Sequence, residues 1–239
     1  GSTYDPENVR TQLSNFLKRA YRRPPTKKQI DAIHGVYLAR TSKGIISWQS
    51  FKDSLKAALC SPHFIYLQEE SEPETDNIDP YAIASRLSYF LWSSMPDREL
   101  FTLAGTGELS NPDILRTQSE RLLEDSKSNR FVDGFLNAWL TLDNLGNTPP
   151  DHLRFKEYYI DDLAPAMRKE THVFFRHLLD NNLPTSEFLT AQYTFTNPAL
   201  ARLYHLPVEK SDFPNPDSFI RVSTEGHPRG GLLGHSSIH

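Results

Sequence analysis

The stretch that decides the fold runs from Asp79 to Asp97 and reads DPYAIASRLSYFLWSSMPD. Asp followed by Pro is typical of a helix start, because the Asp side chain caps free backbone N–H groups and Pro fits the first helical position. The apolar side chains of the stretch recur at helical spacing and share one face: Ile83, Leu87, Phe90 and Leu91. Pro96 ends this predicted helix, and Asp97 is placed to cap a further short one.

The rest of the chain repeats these helix signals. Residues 26–29 read TKKQ, the form of a capping box in which the Thr and Gln side chains bond reciprocally to backbone N–H groups. Asp5 and Asn111 each precede a proline, and the longest predicted helix covers residues 162–179. We therefore predict an all-α fold, arranged as a multi-helix orthogonal bundle.

The character of the chain changes at Pro207. Prolines and glycines are frequent from there to His239, which predicts an irregular Pro/Gly-rich C-terminal segment with one short strand at residues 219–222. The acidic stretch at residues 68–77 is the best candidate for a linker. The sequence thus predicts an N-terminal three-helix region at 3–70, a central helical region at 78–206, and the irregular segment at 207–239, cut from a longer protein.

Composition excludes several classes of protein. The 239 residues include 26 basic and 30 acidic side chains and carry a formal net charge of −4, which argues against a general electrostatic grip on nucleic acid. No apolar run approaches the roughly 20 residues that span a membrane, so no membrane span is predicted. Cys60 is the single cysteine, and its apolar helical surroundings predict a buried, unreactive side chain.

Three large aromatic side chains are predicted to lie in the core, with an aromatic lining for sugar as the alternative for Trp92 and Trp139. Phe90 and Trp139 sit on apolar helical stripes, and Trp92 ends the apolar run of the 79–97 stretch. Replacing Phe90 or Trp139 by Ala is then expected to destabilise the fold by about 3–5 kcal/mol, as other large-to-small core changes do.

The sequence contains no complete catalytic motif. Its nine histidines lack a compact ligand spacing, so no metal site is predicted, and Ser-nucleophile and phosphate-loop motifs are absent. Four residues stand out as ligand-binding candidates: Arg86, Asp97, His63 and Arg229.

Each candidate has a structural alternative. Arg86 interrupts an apolar helix and, if buried, needs a carboxylate such as Asp97 or Glu99, so it is either half of a structural ion pair or a ligand-binding Arg. His63 follows a helix end and either bonds to free backbone carbonyls or belongs to a site. Arg229 precedes two glycines, which either present amides to an anion or permit a tight backbone path.

Several blocks of sequence resemble one family. They read FLKRAYRRPPT at 16–26, LCSPHFIY at 59–66, SRLSYFLWSSMPD at 85–97, FLNAWL at 135–140, FFRHLL at 174–179, YTFTN at 193–197 and RGGLLG at 229–234. In this order they resemble large secreted proteins of unknown function from planctomycetes and related bacteria, which carry c-type cytochrome domains elsewhere in the chain. The resemblance implies a periplasmic or extracellular location and haem c on another domain. This chain has one cysteine and cannot attach haem through Cys-x-x-Cys-His.

Two interpretations of function remain open. In the first, the chain is a helical module of a larger secreted, cytochrome-associated protein and docks other domains of that protein, such as a c-type cytochrome domain, without a complete active site of its own. In the second, it is part of a redox or polysaccharide-active enzyme whose site is completed by other domains. A deep pocket that holds Arg86 or Arg229 with a carboxylate and a His would favour the enzyme, and a flat apolar patch would favour docking.

Overall fold

The computed structural model describes residues 6–67 and 78–238, and helices dominate this part of the chain. The α-helices are α1 (Pro6–Ala20), α2 (Lys27–Thr41), α3 (Ser47–Leu59), α4 (Pro62–Ile65), α5 (Pro80–Trp92), α6 (Arg98–Thr106), α7 (Pro112–Glu124), α8 (Asn129–Leu140), α9 (Lys156–Ile160), α10 (Leu163–Asp180), α11 (Glu187–Thr190) and α12 (Pro198–Tyr204). The two strands are β1 (Tyr193–Thr196) and β2 (Ile220–Ser223). The all-α class predicted from the sequence is confirmed.

Most helix starts follow from local sequence. Thr26 and Gln29 form the predicted capping box, and the Asp79 side chain accepts a hydrogen bond from the N–H of Ala82 at the start of α5. Asp97 caps α6 in the same way. The predicted cap at Asp5 and the acidic linker at 68–77 lie outside the described residues. The orthogonal arrangement and the domain limits at 3–70, 78–206 and 207–239 stay predictions.

The chain divides into two compact units, Gly1–Ser128 (unit 1) and Asn129–His239 (unit 2). In unit 1, α1, α2 and α3 enclose an apolar core of mostly large side chains: Val9, Leu13, Leu17, Tyr21, Ile33, Tyr37 and Ala58. The end of α1 is tied to the start of α5, since Arg23 Nη2 lies 3.0 Å from Asp79 Oδ2.

Helix α5 buries only part of the face that its large apolar residues predict. The buried positions are mostly small: Ala82, Ala84, Ser85, Ser88, Leu91 and Trp92. Small side chains let neighbouring backbones approach closely, and Ser88, which is fully buried, donates a hydrogen bond to the Ser94 carbonyl across the following turn. Trp92 is buried as predicted, and its Nε1 donates a hydrogen bond of 2.8 Å to the Leu122 carbonyl.

In unit 2, the long helix α10 packs against the two-stranded sheet and α12. The strands pair antiparallel with Tyr193 opposite Ser223, and the strand predicted at 219–222 is confirmed one residue further along. The irregular C-terminal segment returns to the core. Leu232 is buried there, and Ile238 packs against an apolar cluster that contains Leu136.

Three burial predictions are wrong. Phe90 is 63% exposed and Trp139 is 49% exposed, so neither belongs to a closed core. Cys60 is exposed as well, just past the end of α3. Helical periodicity locates a stripe on a helix, but the arc that neighbouring elements cover depends on tertiary packing. Within the described residues, no helix is both long and apolar enough to cross a membrane.

Candidate functional site

Asp97 forms an ion pair, but its partner is Arg121 and not Arg86. Arg121 Nη1 lies 2.8 Å from Asp97 Oδ2, and the N–H of Leu100 donates a hydrogen bond of 2.9 Å to Asp97 Oδ1. Burial raises the pKa of Asp97, but the hydrogen bonds and the charge of Arg121 outweigh burial and hold that pKa below its ordinary value. Arg86 is exposed on α5, so the condition for a buried ion pair with Asp97 or Glu99 is not met. Asp97 is accounted for as a helix cap and ion-pair partner.

His63 belongs to a structural junction. It lies in α4, where its ring packs on Tyr21 with ring centroids 5.2 Å apart. Its carbonyl and those of Phe64 and Tyr66 accept hydrogen bonds of 2.8–3.1 Å from the guanidinium of Arg22. Arg22 is buried and has a φ of 58°, and it anchors the 63–66 segment to the end of α1. Sequence reasoning missed Arg22 because its backbone conformation leaves no local signal.

Arg229 joins a buried polar cluster whose members come from separate parts of the sequence. This Glu170 cluster consists of Glu170 on α10, Thr194 on β1, Tyr204 at the end of α12, and Arg229 and His235 in the C-terminal segment. The Arg229 guanidinium carbon lies 4.0 Å from the centre of the Tyr204 ring, and Nη1 donates a hydrogen bond of 2.7 Å to the Gly234 carbonyl. Segments far apart in sequence therefore meet around one carboxyl group.

Glu170 is fully buried and accepts two short hydrogen bonds. Thr194 Oγ1 donates to Oε1 and the Tyr204 hydroxyl donates to Oε2, each at 2.5 Å. Burial raises the pKa of Glu170 to about 7, although these two hydrogen bonds and the charge of Arg229 act in the opposite direction. The group is thus able to gain or lose a proton near neutral pH.

The two other titratable neighbours of Glu170 are held neutral. Burial, and secondarily the charge of Arg229, lowers the pKa of His235 to about 3. Burial, and secondarily the charge of Glu170, raises the pKa of Tyr204 above its ordinary value. His235 Nε2 lies 4.0 Å from Glu170 Oε1, and its Nδ1 lies 3.0 Å from Thr171 Oγ1. A neutral His235 therefore forms no ion pair with Glu170.

The Glu170 cluster is closed. The space between its side chains is too small for a water molecule. The adjoining glycines close it from one side, because Gly231 has a φ of 57° and a Cβ there would lie 2.6 Å from the Phe188 carbonyl oxygen. This geometry supports the structural alternative for Arg229, a tight backbone path rather than an anion site. The arrangement can hold a proton, but the space around Glu170 itself leaves no room for a substrate; Arg229 also lines a neighbouring cavity of about 390 Å³.

One signal for the cluster was present in the sequence. Glu170 lies three residues after Met167 and four before Phe174, which places it on the buried face of α10. A Glu on an apolar helix face requires hydrogen-bonding partners. Those partners come from distant segments, so the sequence identifies the need but not the residues that meet it.

Unit 2 also carries a group of aromatic rings, two of them exposed and three partly buried, here called the aromatic surface. It comprises Phe131, Phe135 and Trp139 on α8, Phe175 on α10 and Phe188 on α11. Phe135 lies in the middle, with its ring centroid 5.5 Å from those of both Trp139 and Phe175. Trp139 meets Phe188 edge-on at 5.6 Å. Phe135 is 40% and Trp139 49% exposed, so the surface presents an apolar face to solvent.

Comparison with known proteins identifies the type of segment but no activity. Residues 78–206, which are more than half of the chain, match the family model PSD4, "Protein of unknown function (DUF1592)". Residues 8–69 match PSD5, "Protein of unknown function (DUF1595)". No curated protein and no solved structure matches. Among the described residues, no group of three or more His, Cys, Asp and Glu side chains is placed to hold a metal ion.

Proposed function

Since the chain belongs to the DUF1592 family, whose function is unknown, we propose a role from its geometry: it is a docking unit that binds another domain of a larger protein. The observation that carries this proposal is the aromatic surface of unit 2. Soluble proteins rarely leave several large apolar side chains exposed side by side unless the face binds a partner.

The composition of the aromatic surface fits an interface. Phe, Tyr and Trp are enriched at protein interfaces, and Trp is among the residues whose truncation costs the most binding energy. The rings of Phe135 and Trp139 are held by ring contacts to Phe175 and Phe188, so little side-chain freedom remains to be lost on binding. The surface is therefore built to accept a partner without rearrangement.

The closed Glu170 cluster also supports docking over catalysis. It brings together a carboxyl group, Arg229 and a His, the set that would have favoured an enzyme if it lined a deep pocket. It encloses no room for a ligand. Its hydrogen bonds instead connect α10, β1, α12 and the C-terminal segment, which is a structural task.

The proposed partner is a c-type cytochrome domain of the same longer protein, which would carry haem c and act in the periplasm or outside the cell. The resemblance to secreted cytochrome-associated proteins supports this choice. Redox partners use small, partly apolar contact areas that release readily, and a compact aromatic face suits such a contact.

The test is a binding titration between this chain and a c-type cytochrome domain from a protein that carries the same family segment. We expect Trp139→Ala to weaken binding by about 30-fold or more, the effect of removing an interface hot spot of about 2 kcal/mol. Phe90→Ala is the matched control, since Phe90 is an exposed aromatic residue of unit 1. Circular dichroism establishes that both variants fold.

Absence of measurable binding, or equal binding by wild type and Trp139→Ala, would overturn the docking proposal. Equal weakening by Phe90→Ala and Trp139→Ala would also overturn it, because the aromatic surface would then have no special role.

One observation favours the alternative, a redox or polysaccharide-active enzyme completed by other domains. A carboxyl group with a pKa near 7 is suited to general acid catalysis, and Glu170 has such a pKa. The alternative requires the cluster to open in the longer protein. Hydrogen exchange of α10 amides with and without the other domains tests this: unchanged protection would leave Glu170 without access to any substrate.

A further inference from the structure

Unit 1 has a groove beside the turn that follows α5, and its two ends differ in character. One end is a cavity of about 460 Å³ between α1, the turn and α6, here called the basic end. The other is a cavity of about 640 Å³ between α1, the same turn and the 59–64 segment, here called the apolar end. The two cavities share Arg19, Ser94 and Met95, so they form one continuous groove.

The basic end carries an excess of positive charge. Lys18 and Arg19 on α1, Arg98 on α6 and Lys127 after α7 line it, and all four are exposed. Within the described residues, none of these four forms an ion pair. Among the described residues Asp97 is the one carboxylate in the lining; it pairs at 2.8 Å with Arg121, which also lies 3.6 Å from Glu99 outside the lining. The basic end therefore attracts several negative charges.

The apolar end is lined by large apolar side chains. Phe16, Leu59, Phe64, Tyr89 and Met95 contribute to it. Leu59 is 41% and Phe64 37% exposed, which leaves apolar surface open to a ligand. A ligand that fills the whole groove must offer apolar groups at one end and negative charges at the other.

The walls of the groove are fixed before any ligand arrives. Arg22 holds the 63–66 carbonyls against the end of α1, and the Ser88 hydroxyl holds the Ser94 carbonyl at 3.0 Å. Lys127 lies with its Nζ 4.2 Å from the centre of the buried Trp92 ring, which positions this cation at the edge of the basic end. Pre-organisation of this kind lowers the entropy lost on binding.

We propose that this groove binds a peptide segment of a partner protein in which apolar residues are followed by a run of carboxylates. The cations come from three separate elements, so they suit charges spaced along a chain better than one compact anion. Leu, Met and Phe side chains at the apolar end fit apolar side chains, whereas sugar sites favour flat aromatic platforms with many hydrogen-bonding groups. This proposal concerns unit 1 and does not rest on the docking role proposed for unit 2.

Fluorescence anisotropy with labelled synthetic peptides tests the proposal. The first peptide has leucines followed by glutamates, and a second has glutamines in place of the glutamates. We expect the acidic peptide to bind at low ionic strength at least about tenfold more tightly than the neutral one, and to weaken when salt near 1 M screens charges beyond about 3 Å. Equal affinity for the two peptides would overturn the proposal.

Charge-reversal variants locate the binding. Arg98→Glu is expected to weaken binding of the acidic peptide by about tenfold. The variant should stay folded, because an acidic residue is favourable in the first turn of α6. Lys28→Glu is the matched control, since Lys28 is exposed in the first turn of α2 and does not line the groove. Equal weakening by both variants would overturn the proposal, because the effect would reflect only net charge.

Two further results complete the test. Leu59→Ser is expected to weaken binding of the leucine-containing peptide. The same substitution should leave unchanged the affinity for a peptide in which serines replace the leucines. A sulfated oligosaccharide is the competing ligand class, and tighter binding of that oligosaccharide than of the acidic peptide would overturn the assignment to a protein partner. Thermal unfolding of each variant, monitored by circular dichroism, confirms that the losses do not come from misfolding.

Discussion

Replacing Glu170 by Gln should change how the stability of unit 2 depends on pH. The pKa of Glu170 is about 7 in the folded protein, whereas the ordinary value, taken for the unfolded chain, is 4.5. Because the folded protein binds this proton more tightly than the unfolded chain does, protonation stabilises the fold. That contribution is complete below about pH 4.5 and is lost as the pH rises to about 7. A glutamine side chain at this position cannot titrate, so the variant does not lose this stability as the pH rises.

The magnitude follows from the size of the pKa difference. At about 1.4 kcal/mol for each unit, the rise from 4.5 to about 7 corresponds to about 3 kcal/mol. His235 acts in the opposite direction, since its lowered pKa makes the fold lose stability as the pH falls below 6.5 towards 3. The quantity to measure is therefore the difference between Glu170→Gln and wild type at each pH, because the contribution of His235 cancels in it.

The assay is urea unfolding between pH 4.5 and pH 8. Unfolding is monitored by pulsed hydrogen exchange on peptides from α10, so that the measured transition is that of unit 2. We expect the free energy of unfolding of Glu170→Gln, relative to wild type, to increase by about 3 kcal/mol from the lowest to the highest pH. Glu225→Gln is the matched control because Glu225 is exposed, and its difference from wild type should stay flat. A change of less than about 1 kcal/mol for Glu170→Gln would refute the reasoning, because Glu170 would then titrate near its ordinary pKa.

Two further predictions concern the surroundings of the cluster. Thr224 Oγ1 is buried without a hydrogen-bond partner in the described part of the chain, so Thr224→Val should stabilise unit 2 by about 1 kcal/mol in urea unfolding. Thr194→Val removes a hydrogen bond to Glu170 and should instead destabilise unit 2 by about 1–3 kcal/mol. Equal effects of the two substitutions would contradict this reasoning. Gly231→Ala should lower the midpoint of thermal unfolding far more than Gly226→Ala. Both glycines have positive φ, but only a Cβ at Gly231 meets the Phe188 carbonyl oxygen. Equal midpoints for the two variants would show that the backbone near Gly231 can shift to accommodate the Cβ.

The sequence predicts features of the fold that depend on neighbouring residues. The capping side chains of Thr26, Asp79 and Asp97 act on N–H groups three positions away, so their effect can be read locally. The strand near 219–222 follows from turn residues on either side. The caps are confirmed because no distant contact is needed to satisfy them, whereas the strand also depends on its pairing with β1.

Burial is harder to predict because it depends on what covers a helix. Phe90 lies on the apolar stripe of α5, but the covered arc of that helix is the one with Ser85 and Ser88, where small side chains allow close packing. Trp139 lies on a stripe that remains half open to solvent. The sequence shows an apolar stripe in both cases and does not show whether another element is present to cover it.

The candidate sites show the same limit. Asp97 was correctly placed beside a turn, but its partner is Arg121 from α7, beyond the reach of local reasoning. Arg229 was singled out for its glycines, whereas its neighbours Tyr204 and Glu170 come from other elements. Predicting such clusters requires the path of the whole chain.

The position of His235 in the Glu170 cluster has a consequence for biosynthesis. Unit 1 is complete once Ser128 has left the ribosome, and domains generally fold as units with the N-terminal one first. Unit 2 cannot close its core before residues 232–238 have been made, because Leu232, His235 and Ile238 pack into that core. Until those residues emerge, Glu170, which is buried in the folded unit, stays exposed to water beside exposed aromatic rings. Before residues 232–238 emerge, a folded unit 1 therefore precedes an incomplete unit 2, and we expect chaperones to bind unit 2 in that stage.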